Sequence, residues 1–168
     1  MSLTMHQASI APVVKILAAQ SKILDKAAAH CTARKIDPAV ILAYRLAPDM
    51  LAFVRQIQIM TDQAKGLAAR LSGTAMPSYP DTESSFDELK ARIAKTIDYL
   101  KSVSANALEG SEERDIKVPA GERTLEFKGL AFLQRWAIPN VFFHVTTAYN
   151  ILRHNGVEIG KRDFLGSP

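Results

Sequence analysis

Between residues 50 and about 71, six apolar residues follow one another in alternating steps of four and three: Phe53, Ile57, Met60, Ala64, Leu67 and Leu71. At 100° per residue this spacing holds all six on one stripe of an α-helix, and Val54, Thr61 and Ala68 widen it. A helix with so broad an apolar face has to bury it, since an isolated helix of this length is marginal in water. The rest of the chain must therefore supply partners, and most of them read as helices too.

A first helix is predicted from 5 to about 32, with Ile10, Val14, Leu17, Leu24 and Ala28 at helical spacing and Thr4 as N-cap. Pro12 either bends its first turns or delays its start to about Ser9. Asp37-Pro38 is a cap followed by proline in the first helical position, opening a short helix through Leu46 that Ala47-Pro48 stops. After the 50–71 helix, Ser72-Gly73 is a stop and MPSYPD a loop. Thr82 or Ser84/Ser85 then caps a helix over 86–103, with Leu89, Ile93, Ile97 and Leu100 on one face and charges ordered to suit its dipole.

Between about 109 and 129 the period changes. DIKV and RTLEF are short and β-prone, separated by PAGE, and read as a small hairpin. The last helical region runs from 130 to 154. Pro139 makes it either kinked or two helices meeting near Ile138, and Asn155-Gly156 ends it before a short tail. The fold expected is mainly all-α: an antiparallel four-helix bundle with a small β-hairpin in the connection before the last helix, one domain over 1–168.

Composition narrows the function classes. With 48% hydrophobic and 23% charged residues among 168, the chain has the make-up of a globular domain, and no apolar run is long enough to span a bilayer. One cysteine, Cys31, excludes an internal disulfide framework and a cysteine-rich zinc site, and the cytoplasm is the expected compartment. The net charge of +4 and the pI near 9.3 raise nucleic-acid binding. Against it, the densest bases (Lys90/Arg92/Lys95 and Arg153/Lys161/Arg162) lie beside acids or a terminus and form no stripe, so they read as a solvated face.

The histidines are His6, His30, His144 and His154, with no HExxH and no pair at i, i+4. His154 and His30 close helices and suit their dipoles. His144 falls beside the apolar face of the last helix, in line with Ala137, Asn140 and Ala148, and is at least partly buried. A buried imidazole needs partners, from Asn140, Thr147 or another helix. His144 reads first as a satisfied core or interface histidine; read as a functional group, it is the candidate catalytic base or ligand, with Gln58 and Asn140 as candidate cleft residues, but no serine or cysteine can be set beside it as a nucleophile. On the 50–71 helix, Arg55, Gln58, Asp62 and Lys65 form a polar ridge, read as a solvent-facing ion-pair ladder rather than a substrate clamp. Arg45 with Pro48-Asp49 is expected to fix the corner before that helix.

Two long strings, RKIDPAVILAYRLAPDMLAFVRQIQIMTDQAKGLAARLSG and PNVFFHVTTAYNILRHNGVEIGKRDFLG, resemble a group of bacterial proteins of unknown function within the DinB/YfiT-like superfamily of four-helix bundles. The resemblance extends from SLTMHQASI to KRDFLG, and LAPDM and FFHVTTAYNILRHNGV are its most specific parts. Metal-binding members of that superfamily hold a divalent ion with three histidines, one on the second helix and two at i, i+4 on the last. Several are thiol-dependent transferases or related metal-dependent enzymes. His144 matches the first of the last-helix pair, but its i+4 mate is Ala148. The second-helix ligand should fall near 60–62, where only Thr61 or Asp62 offers an oxygen. No tightly bound transition metal is expected; were a divalent metal held, His144 and Asp62 would be its ligands.

Two readings follow. The first is a DinB-like binding or stress-related protein with a degenerate metal site. It is expected to be a homodimer, because Phe142, Phe143, Val145, Ile151 and Leu152 make the last helix apolar almost all round. The second is a transferase- or hydrolase-type enzyme, metal- or thiol-dependent, using His144 in the bundle cleft. A small-molecule ligand suits either; a membrane suits neither.

Overall fold

The computed structural model describes residues 3–166. Four long helices carry the fold: α1 (Met5–Arg34), α3 (Phe53–Ser72), α4 (Phe86–Ser102) and α6 (Ile138–His154). Short helices flank them: α2 (Pro38–Ala43), α5 (Gly129–Phe132) and α7 (Lys161–Leu165). Strands β1 (Asp115–Ala120) and β2 (Arg123–Lys128) pair antiparallel, with Ile116 opposite Phe127 and Val118 opposite Leu125. This is the mainly helical bundle with a hairpin before the last helices that the periodicities predict.

The neighbours in the bundle are α1 with α4, α4 with α3, α3 with α6, and α6 with α1. Helices consecutive in sequence therefore sit across diagonals in two of the three connections. The link from α1 to α3 carries α2, and the link from α4 to α6 carries the hairpin. Only residues 73–85 join two long helices that lie side by side. Phe53, Ile57, Met60, Ala64, Leu67 and Leu71, the stripe read from the sequence, are all without exposure. They pack with Val13, Leu17 and Leu24 of α1, Leu89 and Ile93 of α4, and Val141, Val145 and Ile151 of α6. Each large side chain so buried contributes roughly 1.5–3 kcal/mol of transfer free energy.

Helix ends follow local chemistry. Thr4 and Gln7 form a capping box on α1, and the helix runs through Pro12 from Met5, so its start is not delayed. Helix α2 stops at Ala43 rather than Leu46, because Tyr44 is already extended. The start of α3 is Phe53, three residues later than expected; Arg45 donates to the Met50 carbonyl (2.5 Å) and shapes that corner. Pro119 and Ala120 lie in β1, leaving only Gly121 and Glu122 as the turn.

Helices α5 and α6 are joined by one π turn, Leu133–Ala137, so the last helix neither breaks nor restarts at Pro139. There the Ile138 N–H reaches back five residues to the Leu133 carbonyl. Proline at 139 brings no N–H, and the widened turn before it absorbs the missing bond. Gly129 opens this stretch where a Cβ would stand 1.8 Å from the Ser111 carbonyl oxygen, so no side chain fits. The short helix α7, which packs on α1, has no counterpart in the expectations; Asp163 caps it at the Gly160 N–H and pairs with Lys26 (2.6 Å).

Candidate functional site

His144 lies on α6 and is 8% exposed. Its Nδ1 is 2.7 Å from Oε1 of Gln56, on α3. The Gln56 amide nitrogen donates to the Leu51 carbonyl (3.0 Å), which turns its oxygen toward the imidazole. Nδ1 therefore carries the proton and Nε2 is left with its lone pair. Phe143, on the outside of the helix, meets the ring edge-on at 5.2 Å between centroids. Burial pushes the His144 pKa below its ordinary value. The arrangement holds a neutral, oriented imidazole.

The other sequence candidates do not gather around it. Asn140 donates to Trp136 O (2.7 Å) beside the π turn, and Thr147 to Phe143 O (2.8 Å), so both serve their own helix. Gln58 and Asp62 face α4 instead. Residues 56 and 58 stand 200° apart on a helix, so a Gln56 that faces α6 sends Gln58 to the other flank.

That other flank corrects the reading of the polar ridge. It is solvated only in part: the Arg55 and Asp62 side chains stay 41% and 38% exposed, while Gln58 and Lys65 are 2% and 1% exposed, because residues 77–83 lie over them. Arg92, counted from sequence as part of a solvated basic face, is instead 4% exposed and forms the centre of the cluster. Its Nε donates to Thr61 Oγ1 (2.7 Å), and its two terminal nitrogens reach Pro80 O (2.9 Å), Glu83 (3.0 Å), Asp62 (2.9 Å) and Asp81 (3.0 Å). Lys65 meets Asp62 (2.8 Å) and Pro77 O (3.0 Å), with the Tyr79 ring centre 3.6 Å away. Gln58 bridges Arg55 (2.6 Å) and Glu83 (2.8 Å). Hydrogen bonds from Arg55 hold the Asp81 carboxyl below its usual range. Burial pushes the Glu83 carboxyl up, but donation from Gln58 and Arg92 prevails and it too lies low.

Sequence reasoning missed Gln56, Arg92, Tyr79, Asp81 and Glu83. For Arg92 one signal was present: it falls between Leu89 and Ile93 on the inner side of α4. Gln56 stands next to Ile57 on the α3 stripe, where a polar residue at a buried position needs a partner.

The three-histidine site that the resemblance implies does not fit these residues. Gln56, not a residue at 60–62, stands across from His144, and Ala148 is fully buried with no ligand atom. Asp62 is taken up by Lys65 and Arg92. Among the described residues no three His, Cys, Asp or Glu side chains come together as a group able to hold a metal ion. The other histidines lie apart: His30 lines an open groove of about 500 Å³ with Lys26, Arg34 and Glu158, and His154 stacks near Tyr44 (5.9 Å).

A long-helix bundle of this connectivity, with a hairpin before the last helix and an oriented histidine on that helix, is a DinB-like bundle. A solved structure bears this out: the crystal structure of a DinB family member protein from Shewanella denitrificans is 38% identical, matches 98% of this chain and 93% of its own, and superposes with a TM-score of 0.92. The family model that matches, over residues 5–165, is described as "Domain of unknown function (DUF1993)", and the chain belongs to that family. No curated protein matches it.

Proposed function

We propose that this DinB-like chain is a binding protein, with a stress-related role, that works without a tightly bound transition metal and as a homodimer. One observation carries the reading: His144 Nδ1 is engaged by the Gln56 amide, while one turn further on the helix offers only Ala148. An amide oxygen and a single imidazole lack the charge and the ligand number of a transition-metal site. The dimer is supported by Phe143 and Leu51, large apolar residues left 56% and 43% exposed on either side of the His144–Gln56 pair. The rest of the apolar last helix is taken up inside the bundle. Cytoplasmic residence is supported by Cys31, a free and buried thiol.

Metal analysis of protein purified without chelator tests the reading. The expected content is well below one ion per chain, unchanged by His144→Ala. A stoichiometric metal that disappears in that variant would overturn it.

The second reading, an enzyme that uses His144 as base or lone ligand, is favoured by one feature. Nδ1 is fixed by Gln56 Oε1, which leaves Nε2 unprotonated, the state a general base requires. Turnover of an electrophilic or thiol-accepting substrate, abolished by His144→Ala and weakened by Gln56→Ala, would decide for it.

A further inference from the structure

The face that α3 and α4 present beneath residues 77–83 is strongly cationic. Arg55 and Lys65 come from α3, Arg92 and Lys95 from α4, and the helix carboxylate bonded to them is Asp62. Glu88 of α4 is turned away to the Ser84 N–H and hydroxyl. The missing negative charge arrives from the connecting segment: Asp81 pairs with Arg55 and Arg92, and Glu83 with Arg92 and Gln58.

The way this segment is held is unusual for something that covers buried charge. No residue from 73 to 85 is buried, so no apolar side chain anchors it. Its attachments are the two carboxylates, the Pro77 and Pro80 carbonyls, and the Tyr79 ring, which lies 3.6 Å from Lys65 Nζ and 4.2 Å from Lys95 Nζ. Beneath it the Lys65 and Arg92 side chains are only 2% exposed. Their burial thus depends on a cover held by polar and cation–π contacts rather than by packing into the core. The bundle core does not depend on it, since no residue of 73–85 belongs to the hydrophobic core.

We propose that this face is an anion-binding recess which the chain fills with its own carboxylates. A soluble molecule carrying two or more carboxylate or phosphoryl oxygens competes with Asp81 and Glu83 for Arg55, Lys65 and Arg92. In doing so it lifts residues 77–83 while the bundle stays folded. Two guanidinium forks and an ammonium, with the Thr61 hydroxyl and the Gln58 amide between them, are the donors such an anion needs.

The experiment is proteinase K cleavage within 74–83, mapped by mass, on the full chain in sodium succinate, sodium phosphate or sodium chloride at one ionic strength. Alkylation of the buried Cys31 reports opening of the whole bundle. Succinate or phosphate should speed cleavage about tenfold over chloride with Cys31 alkylation unchanged, as expected for a local opening. Which of the two acts tells carboxylate from phosphoryl recognition. In Asp81→Asn/Glu83→Gln, cleavage should be fast without added anion, and succinate or phosphate should raise Tm above chloride by more than in the parent chain. Equal cleavage in all three salts overturns the proposal, as does cleavage that rises only together with Cys31 alkylation. So does a double variant that no anion stabilises beyond chloride.

Discussion

Arg92 and Thr61 meet across the α3–α4 contact, the guanidinium Nε donating to the hydroxyl oxygen at 2.7 Å while that hydroxyl donates to the Gln58 carbonyl, also at 2.7 Å. The hydroxyl thereby relays a backbone carbonyl of one helix to a side chain of the next. It gives the arginine a neutral partner in addition to its three carboxylates, and each donor of the buried fork finds an acceptor.

Removing the fork should be expensive. Arg92→Ala strips Asp62 and Glu83 of their shared partner and takes the Nε donor from Thr61, and is expected to lower stability by about 3–5 kcal/mol. Lys65→Met keeps the hydrocarbon stem in place and leaves Asp62 paired with Arg92, so its loss should be under about 1.5 kcal/mol. Urea unfolding of the two variants measures the difference.

Acid should act on the same cluster. The carboxyl groups of Asp81 and Glu83 both lie low in the folded chain, so the unfolded chain takes up their protons first as pH falls. Their contribution is complete above the unfolded values of about 4 and is lost as pH drops through the folded ones. Urea midpoints measured from pH 6 down to pH 3 should therefore fall less steeply in Asp81→Asn/Glu83→Gln than in the parent chain.

His144 titrates with the opposite charge but the same sign of slope. Burial depresses its pKa, so the unfolded chain binds the proton more readily and stability declines as pH falls below about 6.5 toward the folded value. Gln56→Glu sets a carboxylate against Nδ1 and should move the His144 pKa upward, read from its imidazole proton shifts by NMR. An unchanged titration would show that the 56–144 contact does not persist in solution.

Gly129→Ala places a methyl against the Ser111 carbonyl oxygen, and backbone on both sides must give. A loss of about 3 kcal/mol or more is expected, seen as a drop in Tm.

Phe143 is outside the core, so Phe143→Ser should change folding stability by no more than about 0.5 kcal/mol. In light scattering at micromolar concentration the parent chain is expected as a dimer and the variant shifted toward monomer. A parent chain that is already monomeric would remove the dimer from the proposed function.

How far the sequence reveals these features depends on whether a residue's environment is set by its own helix. The α3 stripe and the presence of the hairpin follow from local spacing and were legible, and Ser85 was among the three cap candidates of α4. The environment of Lys65 and Gln58 was not, because a segment with no period of its own folds back over them. The partner of His144 was equally hidden: choosing Gln56 over Thr61 or Asp62 requires the rotation of α3 relative to α6. Pro139 suggested a kink or a meeting of two helices near Ile138, and the chain stays helical there through a single π turn, Leu133–Ala137.

The diagonal connections bear on the order in which the chain can assemble as it is made. Helix α1 emerges before the other helices described, yet its main neighbour α4 begins at Phe86, and α6 and α7, which also pack on it, begin at Ile138 and Lys161. Its thirty residues must wait until α4 has been made for their main docking surface. The first pair able to close is α3 with α4, and the stretch between them, tied down by Arg92, is the only short loop available to nucleate it. A nascent chain is thus expected to gather from α3 and α4 outward, with α1 docking only after helices made later than itself.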